Sequence, residues 1–317
     1  MAVSVIIVNW NSKDLLRKCL QHLSRQTIQP DRVIVIDNNS TDDSLIAAED
    51  FKNVVVKKMD SNLGFAAGNN QALYECDTEW VALLNPDAFP EADWLESLLN
   101  GAESNPDFVA FGSRQLCQEN PAILDGIGDT YHISGAVRRE RHNNQQQADD
   151  LIAREIFSPC AAAALYKRQA LNEVGLFDDD YFCYLEDVDL GFRLRLAGYK
   201  SMYLPDAVVH HVGSATTGGH RSDFSVYHGH RNMMWTFVKN MPGILFWLLL
   251  PLHLLLNMFS IIWFTLHGQG KVILKAKWDA IKGLPEVWAK RKQIQRNRVV
   301  TAVEIWRALN KGFTRSN

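Results

Sequence analysis

Val3-Ser4-Val5-Ile6-Ile7-Val8, running straight into Asn9-Trp10-Asn11, is too short for a helix, rich in β-branched residues and without regular polar alternation. Strands buried on both faces have this signature, and they belong to parallel sheets covered by helices. It recurs at residues 33–36, 54–56, 81–84 and 108–111. Between the first two runs, Leu16, Leu20 and Leu23 fall on one helical face behind Ser12, which reads as the N-cap. This β-α-β rhythm predicts a doubly wound, mostly parallel α/β sheet with its ligand at the carboxyl ends of the strands.

Polar residues collect at those ends. Asn9-Trp10-Asn11 follows the first run, Asp37-Asn38-Asn39-Ser40-Thr41-Asp42 the second, Asn62-Leu63-Gly64-Phe65 the third and Asn85-Pro86-Asp87 the fourth. Each alone is an ordinary turn, but four at one sheet edge would line a single crevice. Residues 114–156, with Gly126, Gly128, Gly135 and a polar run through 147, read as a long mobile surface excursion. A helix is expected from Glu186 to Ala197, stopped by Gly198.

The 317 residues are 47% apolar, which excludes a disordered chain. Five cysteines without a CxxC pair exclude a disulfide scaffold or zinc ribbon and favour reduced, cytosolic thiols. The N-terminus lacks a basic flank and a cleavage site, so no signal peptide is expected. The net charge of -3 hides an asymmetry: residues 271–317 are +9, residues 241–270 carry no charged side chain, and the preceding body is -12. Such a distribution is a poor nucleic-acid footprint and fits a body held on an anionic membrane surface. Residues 244–266 are uncharged and long enough to span a bilayer, but Pro251, His253 and Asn257 interrupt them. Two short helices broken near Pro251, dipping into or lying on the cytosolic leaflet, are expected; a hairpin buried in a soluble protein is the alternative. Beyond them, Val299, Val303, Trp306, Leu309 and Phe313 read as one helical stripe, interfacial or docked on the body.

The strand-end motifs, with Ser4 to Asn11, Asn62-Leu63-Gly64-Phe65-Ala66-Ala67-Gly68-Asn69-Asn70 and Leu185-Glu186-Asp187-Val188-Asp189-Leu190, stand in an order that resembles glycosyltransferase family 2. Within it the chain looks like the rhamnosyltransferase-like members, from about residue 3 to 240. The resemblance implies a GT-A fold at 1–240, its nucleotide-sugar half at 1–112 and its acceptor half at 113–240, followed by an apolar and basic helical membrane-associating region at 241–317. It implies an inverting transfer of a sugar, rhamnose first, from a TDP- or UDP-sugar to a hydroxyl of a polyprenyl-pyrophosphate-linked saccharide in O-antigen or capsule assembly. The place implied is the cytoplasmic face of the inner membrane, peripheral or monotopic.

By the same resemblance Asp37 contacts the nucleotide base or ribose, flanked by Asn9 and Asn39; the bland alternative is a turn cap. Asn62, Gly64 and Asn69 approach the donor, the glycine by allowing close backbone contact. Asn85-Pro86-Asp87 occupies the DxD position with its first acid replaced, which leaves Asp87 as sole carboxylate ligand for Mg²⁺ or Mn²⁺. His211 matches a histidine that can add a second ligand, although a lone histidine is as readily structural. Asp187 is the expected general base, with Glu186 and Asp189 orienting acceptor or base; acids in a first turn also simply serve the helix dipole. Arg231 can pair with a pyrophosphate, or form a surface salt bridge. The rival reading is a catalytically inactive binding or scaffold protein of the same fold, suggested by Asn85. A sugar nucleotidyltransferase lacks its triphosphate loop here, and residues 9–13 offer none.

Overall fold

The computed structural model describes residues 1–51, 53–213 and 221–312. Four apolar runs form β1 (Val3–Asn9), then, after α1 (Asp14–Leu23), β2 (Arg32–Asp37), β3 (Val54–Lys58) and, after α2 (Gly64–Leu73), β4 (Trp80–Leu84). They pair in parallel in the order β3-β2-β1-β4. Alternation within β1 splits the core in two: Val5 and Ile7 pack with Leu16, Leu20 and Leu23 of α1 on one face, and Ile6 with Ala66 and Leu73 of α2 on the other. β3 closes the edge of the sheet, and Val55 and Val56 are exposed there. Ser12 does not cap α1 with its side chain; its hydroxyl donates to Asn9 Oδ1, drawn into the cluster at the end of β1.

Beyond β4 come β5 (Ala88–Pro90), α3 (Trp94–Ser104) and β6 (Phe108–Cys117). The expected mobile excursion is instead folded as β7 (Ile123–Gly126), β8 (Asp129–Tyr131), β9 (Val137–Arg139), β10 (Asn144–Gln145) and β11 (Arg154–Ile156). Its polar residues pair with one another: Arg141 grips the buried Asp150 through two bonds of 2.9 and 3.0 Å. β12 (Ala163–Lys167) inserts between β4 and β6, antiparallel to both, so one sheet crosses the expected boundary at residue 112. α4 (Arg168–Val174) and α5 (Glu186–Leu196) follow, and Gly198 takes the left-handed φ of 89° just past the end of α5. β13 (Lys200–His211) then runs beside β6 and delivers His211 to the strand ends.

α6 (Asp223–Asn240), α7 (Gly243–Leu266), α8 (Gly270–Lys282), α9 (Leu284–Arg296) and α10 (Ala302–Ala308) complete the chain. α7 is one helix where two were expected. Pro251 lies on its exposed face, and the axis is pinned on both sides of it, by buried Leu249 before and by His253 after, whose ring stacks on Phe237 at 4.0 Å. The last stripe is only partly realised. Ile305 and Leu309 are buried, Val299 precedes α10 and is exposed with Val303, and Phe313 lies outside the described residues. α10 starts too late for Val299 because Thr301 and Glu304 form a capping box there. A third core joins Tyr131, Phe192, Trp235 and Phe237 to Leu245, Val287 and Ile305, across residue 240.

Candidate active site

The strand ends meet at one crevice of about 310 Å³, whose lining includes Trp10, Asn38, Asn62, Gly64, Asn85 and Asp87 from the chain before β5 and Asp125, Asp129, Arg139, Glu186, Asp187 and His211 from the chain beyond β6. Asp37 ends β2 and lies behind this surface, buried, accepting from Asn9 Nδ2 at 2.9 Å and from the Ser40 backbone N–H at 3.2 Å. Asn9 also donates to Ser40 and Ser44, so this pair locks the β1 and β2 ends together. Asn39 is exposed in a left-handed turn (φ 59°), and its neighbour Asn38 is the one that reaches the crevice, donating to Gly64 O at 2.9 Å. Asn62 accepts from Gly64 N–H at 2.8 Å; buried Asn69 turns away to Phe65 O.

Gly64 has φ 83°, and a Cβ on it would stand 2.5 Å from Phe182 O. That carbonyl accepts from the N–H groups of Phe65 and Ala66 at 2.6 and 3.1 Å, so the start of α2 is welded to the segment before α5. In that segment Phe182, Tyr184 and Leu185 all have positive φ, between 63° and 67°. Side chains rarely adopt this conformation, and a run of it is sustained only by surrounding bonds. Asn232 of α6 supplies them, donating to the carbonyls of Tyr181, Cys183 and Tyr184 at 3.0, 2.9 and 2.7 Å. Arg231 is engaged beside it, with Nη2 on the carbonyls of Asp180 and Tyr181 and its guanidinium over the Trp235 ring at 4.3 Å. It does not line the crevice.

The turn aims the first residues of α5. Glu186 and Asp187 face the crevice, whereas Asp189 points into the protein. There it meets Arg193 Nε and Lys239 Nζ, each at 2.8 Å, and Asn240 Nδ2 at 2.7 Å. Asp187 accepts from Val188 N–H at 2.8 Å and Ala161 N–H at 3.2 Å. Burial raises its pKa above the ordinary carboxylate range. Glu186 is lifted further, by burial and by Asp187, and its Oε2 is buried without a hydrogen bond. Asp129 rises to about 7, through burial and repulsion from Asp187. Asp125, Asp129 and Arg139 were absent from the expected site because they sit in the stretch read as mobile. The glycines at 126 and 128 were the signal: a Cβ on Gly126 would fall 2.4 Å from the Arg139 side chain.

Arg139 stands between two of these carboxylates, with Nη1 3.0 Å from Asp125 Oδ2 and Nε 3.9 Å from Asp129 Oδ1. Asp125 in turn holds His211 Nδ1 at 2.9 Å, leaving Nε2 pointing toward Asp87 Oδ1 at 3.3 Å without an aligned hydrogen bond. Burial opposes a charge on His211, but Asp87 and Asp125 outweigh it and lift its pKa to about 9. Among the described residues no group of three or more His, Cys, Asp or Glu side chains is placed to hold a metal ion. The pair fits a smaller role. A buried imidazole nitrogen and a carboxylate oxygen share one point, and Asp125 orients the imidazole as an outer-shell partner does. A divalent cation there would take its other ligands from phosphate oxygens and water.

A parallel sheet whose strand ends carry a nucleotide-sized crevice walled by carboxylates is the frame of a GT-A glycosyltransferase. The profile described as "Glycosyl transferase family 2" matches residues 4–175. The chain belongs to that family, as a rhamnosyltransferase-like member. It is 28% identical over 255 residues, 71% of this chain and 80% of the relative, to the N-acetylglucosaminyl-diphospho-decaprenol L-rhamnosyltransferase of Mycobacterium tuberculosis. It is 28% identical over 232 residues, 72% of this chain and 70% of the relative, to the O-antigen chain rhamnosyltransferase RfbN of Salmonella typhimurium. Among solved structures, the mannosyltransferase PcManGT of Pyrobaculum calidifontis, in complex with GDP-Man and Mn²⁺, shares the fold at TM-score 0.56 and 17% identity, over 96% of this chain and 87% of that one.

Proposed function

We propose that the protein is an inverting glycosyltransferase that moves rhamnose from a TDP- or UDP-sugar to a hydroxyl of a lipid-linked saccharide in cell-surface polysaccharide assembly. The observation that carries this is Asp187: a partly desolvated carboxylate at the head of α5, lining the same crevice as the Asp87–His211 pair. In the reaction Asp187 takes the acceptor O–H proton as that oxygen bonds to the anomeric carbon from the face opposite the leaving group. The bond from that carbon to the diphosphate oxygen breaks, and the electron pair leaves with the diphosphate. Asp87 and His211 would hold Mg²⁺ or Mn²⁺, which when bound supplies positive charge to the diphosphate. Asn38, Asn62 and Gly64 lie where the donor would rest, and Asp37 with Asn9 shapes the floor from behind. Glu186 positions the acceptor. Arg231 acts by holding the 181–184 turn. The name of one relative carries a decaprenol-linked substrate, which supports a polyprenyl-pyrophosphate acceptor and a place at a membrane; the cytoplasmic face is part of the same proposal.

Titration calorimetry with TDP, UDP and GDP, each with Mn²⁺, Mg²⁺ or chelator, tests the donor side. One diphosphate should bind tightly and lose most of that affinity in chelator. Absence of binding by all three would favour the inactive scaffold that Asn85 suggests. Turnover of a TDP- or UDP-sugar then tests the chemistry, and retained transfer in Asp187→Asn would overturn the base assignment.

A further inference from the structure

α7 is divided lengthwise. Leu245, Phe246, Leu249, His253, Asn257 and Ser260 face the body along its whole length. His253 Nδ1 bonds Ser134 O at 2.8 Å, Asn257 Oδ1 accepts from the buried Lys277 Nζ at 2.5 Å, and Arg291 lies over the Phe246 ring at 4.5 Å. The opposite side carries Trp247, Leu248, Leu255, Phe259, Ile262 and Trp263, each 45–65% exposed. α8 extends it with exposed Leu274, Trp278 and Ile281, at helical spacing and interleaved with exposed Lys271, Lys275 and Lys282. An apolar groove of about 550 Å³ between α6 and α9 opens on the same face, rimmed by exposed Leu254, Ile281 and Trp288.

A soluble surface rarely leaves so continuous an apolar patch uncovered. Its chemistry points to one occupant. Indole rings favour the boundary between water and hydrocarbon, and the neighbouring tail, +9 over residues 271–317, favours anionic headgroups. We propose that this face beds into the headgroup-acyl boundary of an anionic bilayer with α7 parallel to the membrane plane. Crossing the bilayer would strip His253 and Asn257 from their partners and carry them into hydrocarbon, where unsatisfied polar groups are costly. Lying flat keeps every docked contact and buries only the apolar side. The inference stands on this surface alone and does not depend on the sugar transferred.

Flotation of the full chain with phosphatidylcholine vesicles, and with vesicles doped with phosphatidylglycerol, tests it. Binding should be about tenfold tighter to the anionic vesicles and should weaken with salt. Replacing Trp247, Phe259 and Trp263 together with Glu should abolish flotation while far-UV circular dichroism and diphosphate binding stay unchanged. Lys271→Gln with Lys275→Gln and Lys282→Gln should remove only the preference for anionic lipid and serves as the milder variant. With vesicle-bound protein, added trypsin should cleave the basic tail as readily as the body. A protected tail would mean a spanning helix and overturn the proposal. So would absence of flotation, whether the chain stays monomeric or dimerises through this face.

Discussion

Asp187 and Asp189 stand two positions apart, which places their side chains on nearly opposite sides of a helix with about 3.6 residues per turn. Their substitutions should therefore read out differently. Asp187→Asn should lower transfer by about 10²–10⁴-fold with donor binding kept. Asp189→Asn should instead lower the melting temperature, by the equivalent of about 3–5 kcal/mol, because Arg193 and Lys239 lose a buried partner. The pH dependence follows from the same burial. Only the ionised carboxylate accepts the proton, and burial raises its pKa, so kcat/KM should fall as pH drops through a midpoint above the usual value of about 3.9. A midpoint at or below that value, in a full pH profile, would assign the base elsewhere. At this scale the sequence showed the acids but not their directions. Dipole and repulsion pull on them in opposite senses, and only packing separates Glu186 and Asp187 from Asp189. Asp125 and Asp129 were out of reach because sheet pairing, not chain proximity, brings them to Asp187.

The elements that aim these residues are held by a few backbone contacts. Asn232→Ala leaves the carbonyls of Tyr181, Cys183 and Tyr184 without their shared donor. Thermal melts should register a loss of about 1–3 kcal/mol, and kcat should fall although Asn232 touches no substrate. Gly64→Ala puts a Cβ against Phe182 O in a left-handed residue, so it too should melt earlier and loosen donor binding in calorimetry. The parallel strands β1, β2 and β4 were legible in the apolar runs, since burial on both faces leaves no other pattern, whereas β3 at the sheet edge shows the same run with Val55 and Val56 exposed. The strands between 123 and 156 were not, being two to four residues long and carrying charges that pair with one another, as Arg139 does with Asp125 and Asp129. α7 shows the limit of reading proline as a break: on an exposed face it forfeits one hydrogen bond, and contacts on the other face keep the axis.

Across the whole molecule, residue 240 marks a change of surface and not of core. Lys290 reaches Asp178 and Asp180 at 2.5 Å, Arg291 caps the carbonyls of Val238 and Met241, and Trp235 donates to Ala280 O at 2.9 Å. A chain ending at 240 should therefore fail to give the cooperative melt of the full chain, and size exclusion should find it aggregated; a monomeric, donor-binding fragment would refute this. The division into an acidic body and a basic tail was plain from charge alone, but their shared core rests on contacts between distant parts of the chain. The place of β12 has a consequence for how the protein is made. Its slot lies between β4 and β6, the later of which is made roughly 45 residues before it, an interval of a few seconds at about 5–20 residues per second. For that time the nascent chain carries two open strand edges facing one another across a gap that only its own later segment fits. Synthesis slowed between residues 117 and 163 would lengthen the exposure and invite a neighbouring chain into the gap.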